Sequence, residues 1–85
     1  MDICAGGSIS VGATSITFTN HHPVACKITS CELPGFPVPV VVPAKVGSQP
    51  GTATVTLNPP ATVKGDYKYT PDCCNENTNP VIKVQ

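Results

Sequence analysis

The chain has 85 residues, a length suited to one domain, and its five basic residues balance its five acidic residues. A neutral chain lacks the basic field that binds nucleic acid or anionic lipid. The longest apolar run, Val40-Val41-Val42, is far short of the ~20 residues that cross a bilayer. We therefore expect a single domain over residues 1–85 with no nucleic-acid partner and no membrane span.

Most of the chain alternates apolar residues with small or polar ones, the period of a half-buried strand. In chain order the alternation occurs at Ile9/Val11, Ile16/Phe18, Val24/Cys26/Ile28, Ala53/Val55/Leu57, Tyr67/Tyr69 and Ile82/Val84. These six segments are predicted strands. A seventh segment, residues 37–43, is rich in valine but contains three prolines. Because proline lacks an N–H group, we interpret it as an edge strand or a polyproline-like crossing between sheets.

Nothing in the chain indicates a helix. No stretch of ten residues has apolar positions at i, i+3, i+4 and i+7, and ten prolines with seven glycines would interrupt most candidates. Turn-forming residues separate the strands at intervals of about 8–12 residues, which is typical of a β-sandwich or barrel. We predict an all-β fold with essentially no helix.

The chemistry of the chain is concentrated in five cysteines, Cys4, Cys26, Cys31, Cys73 and Cys74. This thiol density favours an oxidising compartment, and a domain this small needs disulfides or a metal for stability. We expect an extracytoplasmic protein, secreted or periplasmic. The N-terminus has no charged and apolar signal regions, so we expect that the signal peptide of such a protein has been removed.

Two segments resemble the cupredoxin family of copper-binding β-sandwiches. Residues 16–28, an apolar-x-Phe-x-Asn strand followed by a short turn, are similar to the hairpin before the first histidine ligand. Gly65-x-Tyr67-x-Tyr69, followed by cysteine and the strand 80–84, is similar to the cupredoxin ligand loop and last strand. The resemblance covers most of residues 8–85 and implies a small Greek-key β-sandwich of about seven strands. An immunoglobulin-like fold, with its tyrosine corner, is the alternative.

The chain departs from the cupredoxins at the copper ligands. Cys26 stands at the position of the first histidine, and no histidine or methionine follows Cys74. A type 1 copper site needs two histidines, a thiolate and a weak axial thioether. The resemblance thus implies a domain that lacks the type 1 ligand set, in which Cys26 approaches Cys73 or Cys74 and Cys31 lies nearby.

The vicinal cysteines are expected to take different partners, because adjacent cysteines rarely bond to each other. Under the resemblance, one arrangement joins Cys26 and Cys31 to Cys73 and Cys74 and leaves Cys4 as a free thiol. The connectivity stays open, since five cysteines allow fifteen ways of making two bonds. Cys4 could equally bond within the domain and leave Cys26 or Cys31 free, or form an intermolecular bond.

A thiolate metal site is the alternative to disulfides. Cys26, Cys31, Cys73 and Cys74 offer four soft ligands, and His21 and His22 lie in a turn of the same hairpin. Such a set suits zinc or copper as Cu(I). For the histidine pair itself, a solvated surface turn is the other interpretation.

Catalytic motifs are missing from the sequence. There is no Gly-x-Ser-x-Gly elbow, no phosphate loop and no Cys-x-x-Cys pair, and neither histidine has a carboxylate close by in sequence. We therefore expect a non-enzyme without a cofactor. Its expected role is that of an exported, disulfide-stabilised β-sandwich module with a binding or structural function and a protein partner yet to be identified. The alternative function is a small thiolate protein that binds copper or zinc on a cupredoxin-like scaffold.

Overall fold

A computed structural model describes residues 1–74 and 79–85 of the chain. These residues form seven β-strands: β1 Gly7–Ile9, β2 Ser15–Asn20, β3 Cys26–Cys31, β4 Val40–Val42, β5 Gly51–Thr56, β6 Gly65–Pro71 and β7 Val81–Val84. No helix occurs in the described residues, which confirms the predicted all-β class and the strand number. Accordingly, that part of the chain has no helix with the length and apolar character needed to cross a bilayer.

The strands form two sheets. Five of them lie in the order β1-β7-β6-β3-β4, and β2 pairs with β5 in a separate two-stranded sheet. β1 runs parallel to β7, whereas the other pairs are antiparallel. The Greek-key sandwich connectivity of the cupredoxins stays a prediction.

The proline-rich segment forms an edge of the larger sheet. β4 lies beside β3 at one end of the strand order, and Pro39 and Pro43 flank it. The edge-strand interpretation is therefore correct for residues 40–42. Three apolar residues that we assigned to strands, Val11, Val24 and Leu57, lie just outside them. Leu57 is still buried although it follows β5, so the period-two pattern there continues past the hydrogen-bonded ladder, whereas Val11 and Val24 are exposed and lie in turns.

Both sheets contribute to one apolar core. Phe18 of β2 meets Tyr69 of β6 edge to face, with 5.5 Å between ring centroids, and Phe36 packs against Phe18 at 6.0 Å. The buried residues of this core are Ile3, Ile16, Phe18, Cys26, Ile28, Leu33, Phe36, Val42, Val55, Leu57, Ala61, Tyr69, Ile82 and Val84. Cys26, which has no exposed surface, is therefore a member of the same core as the aromatic residues that join the two sheets.

The N-terminal segment runs along β2 and turns before β1. The Thr19 amide donates to the Met1 carbonyl at 2.8 Å, and the Ile3 amide donates to the Thr19 carbonyl at 3.0 Å. Gly6 then adopts a φ of 73°, and a Cβ atom there would overlap the backbone of Val81 at the start of β7. This close approach brings Cys4 to the same end of the domain as the residues that follow β6.

Candidate functional site

Two disulfides gather at one end of the domain. Cys4 is bonded to Cys74, and Cys26 is bonded to Cys73, with Cα–Cα distances of 5.6 and 5.1 Å. The bonded residues are 70 and 47 positions apart in sequence. The two bonds therefore attach both the N-terminal turn and the start of β3 to the vicinal pair after β6.

Asp72 fixes the vicinal cysteines beside β3. Its carboxylate Oδ1 accepts a hydrogen bond from the Lys27 amide at 2.9 Å, and its own amide donates to the Lys27 carbonyl at 3.0 Å. This reciprocal pair extends the β3–β6 ladder by one step beyond Pro71. Cys73, the next residue, is thereby placed next to Cys26, which precedes Lys27.

The positions of Cys4 and Cys31 reverse the roles that we assigned to them. Cys4 is bonded, and Cys31 is the free cysteine. Cys31 lies at the far end of β3, opposite Tyr69, whereas Cys26 begins that strand. Five residues at about 3.3 Å each separate the two by about 16 Å, so Cys31 cannot reach the vicinal pair. The arrangement that leaves Cys4 free is wrong, and the alternative in which Cys4 bonds within the domain is the observed one.

The free thiol is shielded. Cys31 is half-buried, and burial raises the pKa of its thiol above the usual value; the nearby Glu32 charge acts in the same direction, and a hydrogen bond with the Leu33 backbone acts against it. A thiol with a raised pKa is a poor nucleophile at neutral pH, because little of it is ionised. Cys31 therefore behaves as a small packing residue.

The two histidines face different surroundings. Nε2 of His22 lies 3.3 Å from Sγ of Cys4, whereas Nε2 of the exposed His21 lies 3.9 Å from a carboxylate oxygen of Asp2. The backbone of His22 is held from both sides: its amide donates to Oδ1 of Asn20, and its carbonyl accepts from the Lys45 amide. Only His22 therefore joins the cysteine cluster.

Asn20 organises the turn that carries His22. It is fully buried, and its Nδ2 donates to the carbonyls of Val24 at 2.9 Å and Pro43 at 3.1 Å. Its Oδ1 accepts the His22 amide at 2.9 Å. One side chain thus bonds three main-chain groups from two segments, which fixes the loop after β2 against the segment after β4.

Four potential ligands converge at this end. One ligand atom from each of Cys4, His22, Cys73 and Cys74 lies within 4.8 Å of all the others, and all four residues are half-buried. A second group, formed by Cys26, Asp72 and Cys73, shares one cysteine with it. Of the expected metal set, His22, Cys73 and Cys74 belong to the larger cluster, Cys26 belongs only to the smaller group, and Cys31 and His21 belong to neither. Cys4, which was not in the expected set, joins the larger cluster.

A small apolar depression lies elsewhere on the surface. Leu33, Pro59, Pro60, Ala61 and Tyr67 contribute to its lining, and it holds a volume of about 30 Å³. Pockets that enclose small organic substrates usually measure about 300–1,000 Å³. This depression is too small for such a substrate.

Comparisons with known proteins give no relative: no family model, no curated protein and no solved structure matches the chain.

Three site residues have only weak signals in the sequence. Cys4 is close to the terminus, Asn20 precedes a His-His-Pro turn where a solvated asparagine is common, and Asp72 resembles any loop carboxylate. The one sequence signal for Cys4 is the apolar Ile3 before it, which the fold buries completely.

Proposed function

We propose that this chain is an exported, non-catalytic β-domain that serves as a structural or binding module in an extracytoplasmic setting. The observation that carries the proposal is the pair of disulfides that ties the N-terminal turn and β3 to the segment after β6. Disulfides persist in secreted and periplasmic proteins and are rare where thiols are kept reduced. A domain of 85 residues also gains more from crosslinks than a larger one does.

The absence of a catalytic role is part of the same proposal. His22 lies against a disulfide sulfur, His21 lies at the exposed rim, and burial lowers the reactivity of the Cys31 thiol. The depression beside Tyr67 has no room for a substrate-sized molecule. These features of the described residues support a function that depends on the protein surface rather than on this depression.

The surface chemistry supports a protein partner. The chain is neutral, and four of its valines, Val24, Val41, Val46 and Val63, expose more than half of their surface. Val24 and Val46 belong to neighbouring segments, since the Lys45 amide bonds the His22 carbonyl and Asn20 bridges the carbonyls of Val24 and Pro43. Exposed apolar side chains without a strong field fit contacts with protein better than contacts with nucleic acid.

The test compares chains made in two compartments. The chain is produced with a cleavable secretion signal for the periplasm and without one in the cytoplasm, and both products are alkylated under denaturing conditions without reductant. We expect the periplasmic protein to accept one alkyl group and to weigh four hydrogens less than the fully reduced chain.

The matched control is Cys31→Ser, which should accept no alkyl group. Five alkylated cysteines in the periplasmic protein, together with unchanged folding, would contradict the proposal. Peptide mapping identifies the two bonds and separates the Cys4–Cys74 and Cys26–Cys73 pairing from other connectivities.

A further inference from the structure

The cluster formed by Cys4, His22, Cys73 and Cys74, here called the Cys3His cluster, has the composition of a structural zinc site. Three cysteines and one histidine are a common tetrahedral ligand set for Zn²⁺. The four residues come from three separate segments: the N-terminal turn, the β2–β3 turn and the residues after β6. A zinc ion bound there would fasten the same three segments that meet at the disulfides.

Two non-bonded distances in the cluster lie close to those of a zinc tetrahedron, whereas the bonded sulfurs of Cys4 and Cys74 must separate before both can bind an ion. Zn–S bonds of about 2.3 Å and Zn–N bonds of about 2.0 Å place neighbouring sulfurs about 3.8 Å apart and sulfur and nitrogen about 3.5 Å apart. The Sγ atoms of Cys73 and Cys74 are 3.8 Å apart, and Sγ of Cys4 lies 3.3 Å from Nε2 of His22. Two edges of the tetrahedron are therefore already present.

The disulfides and the metal compete for the same sulfurs, because zinc binds thiolates and a disulfide has none. We propose that the reduced chain binds one Zn²⁺ through Cys4, Cys73, Cys74 and His22, so that the zinc-bound and disulfide-bonded forms are alternative states of one site. This inference is independent of the proposed export, since it concerns the chain whenever its cysteines are reduced.

The disulfide-bonded form is converted to the zinc-bound form in two steps, reduction and metal binding. Each disulfide takes two electrons and two protons from a dithiol reductant, which becomes a disulfide itself, and four protein thiols result. Zn²⁺ then displaces the protons of Cys4, Cys73 and Cys74, which pass to solvent, while neutral His22 supplies a nitrogen lone pair. Cys26 keeps its proton, as suits its fully buried position.

The smaller group of Cys26, Asp72 and Cys73 is a poorer candidate. It has three members, Cys26 is fully buried, and Oδ1 of Asp72 already accepts the Lys27 amide. The Cys3His cluster offers four ligands on half-buried side chains that solvent reaches.

The test uses the Cys31→Ser chain, reduced with a phosphine and freed of metal under anaerobic conditions. Zn²⁺ is titrated against a chromophoric chelator, and Co²⁺ serves as a spectroscopic probe, since thiolate ligands and tetrahedral geometry give distinct absorption bands. We expect one ion per chain and a tetrahedral Co²⁺ spectrum with thiolate charge transfer. We also expect that oxidation to the two disulfides releases the ion.

Adjacent histidines provide the matched control. His22→Ala should weaken Zn²⁺ binding at least tenfold, whereas His21→Ala should change it less than about twofold. Cys4→Ser should weaken binding by a similar factor to His22→Ala, and Cys26→Ala should retain it. Equal effects of the two histidine variants, or full binding by Cys4→Ser, would overturn the proposal.

The comparison of His22→Ala with His21→Ala still tests the zinc site if the reduced, metal-free chain unfolds. Circular dichroism then reports refolding on addition of Zn²⁺, and an unfolded chain would use either histidine, whereas the folded cluster uses only His22. Absence of stoichiometric binding by the reduced chain refutes the zinc site but leaves the disulfide count of the periplasmic protein, and hence the proposed function, unaffected.

Discussion

The hydroxyl group of Tyr69 on β6 donates a 2.8 Å hydrogen bond to the main-chain carbonyl of Ile3. The two residues are 66 positions apart, and both are buried in the core. Together with the Cys4–Cys74 disulfide, this bond holds the N-terminal segment against the strand that leads to the vicinal cysteines. The position of the segment thus depends on a buried polar contact as well as on a crosslink.

Removing the hydroxyl group should destabilise the domain. Tyr69→Phe leaves the Ile3 carbonyl without this donor in a buried position, and we expect the free energy of unfolding to fall by about 1–2 kcal/mol in urea denaturation. Tyr67→Phe is the control, because its hydroxyl donates at 2.7 Å to the exposed Val63 carbonyl, which water can satisfy instead. An equal loss in both variants would contradict the buried role of Tyr69.

The same phenol should make stability depend on alkaline pH. Burial, and secondarily the Asp2 charge, raise the pKa of Tyr69 well above its usual value, so the folded state favours the neutral phenol. Its contribution is complete below the unfolded pKa of about 10 and falls as pH rises from there towards the folded pKa. Tyr69→Phe should therefore reduce the decline in the free energy of unfolding between about pH 10 and 11, measured by brief urea titrations.

The pH dependence of stability is best measured in chains that also carry Cys31→Ser. Burial also raises the pKa of the Cys31 thiol, which gives a decline of the same sign that starts near pH 8.5, the usual pKa of an unfolded cysteine. An unchanged slope in the Tyr69→Phe chain, measured on this background, would contradict the assignment.

Strand positions followed from the sequence because they depend on local alternation and on proline. The alternation of Ile16 and Phe18 marked β2, and the prolines around residues 40–42 correctly indicated an edge. The partner of Cys4 could not be predicted in this way. It depends on hydrogen bonds between the N-terminal segment and β2, and on the close approach of Gly6 to Val81, which no local pattern encodes.

Part of the candidate site, the pairing of the vicinal cysteines with different partners, could also be predicted from local features of the sequence. The vicinal cysteines follow a strand and take different partners, and local geometry is sufficient to expect this. Separating His22 from His21 requires knowing the turn that Asn20 fixes, and separating Cys26 from Cys31 requires knowing which end of β3 meets the end of β6. The antiparallel register of Cys31 with Tyr69 decides that, and it is a property of the folded sheet.

The two disulfides should contribute similar amounts to stability. On the chain-entropy estimate, loops of this length correspond to about 4 kcal/mol each. We expect the double variants Cys4→Ala/Cys74→Ala and Cys26→Ala/Cys73→Ala each to lower the free energy of unfolding by about 3–4 kcal/mol, the second more because Cys26 is fully buried. Cys31→Ala, the control, should cost about 1 kcal/mol or less. Thermal denaturation showing an equal loss in the control would argue against the pairing.

Asn20 should be intolerant of truncation. Asn20→Ala removes the donor to Val24 and Pro43 and the acceptor for His22, all at a fully buried position. We expect a loss of about 2–4 kcal/mol in urea denaturation. The exposed Asn58 provides the control, and Asn58→Ala should cost under about 1 kcal/mol. Similar losses at the two positions would show that the Asn20 side chain does not organise the turn.

Gly51 should be coupled to Asn20 through the Pro43 carbonyl. Gly51 pairs with Asn20 across β2 and β5, and a Cβ atom at Gly51 would overlap the Pro43 oxygen, which accepts a hydrogen bond from Asn20. Gly51→Ala should therefore displace that oxygen and cost at least about 2 kcal/mol. Gly7→Ala, whose Cβ would approach only the flexible Met1 side chain at 3.1 Å, should cost less than about 1 kcal/mol.

A double-mutant cycle measures this coupling. Gly51→Ala and Asn20→Ala both remove the hydrogen bond to Pro43, so the double variant should lose less free energy of unfolding than the sum of the single variants, by about 1 kcal/mol. The same cycle with Gly7→Ala in place of Gly51→Ala should be additive, because the three atoms nearest to a Cβ atom at Gly7 all belong to the Met1 side chain. Additivity in the Gly51 cycle would mean that the Pro43 carbonyl keeps its bond to Asn20, and that the steric overlap is relieved elsewhere.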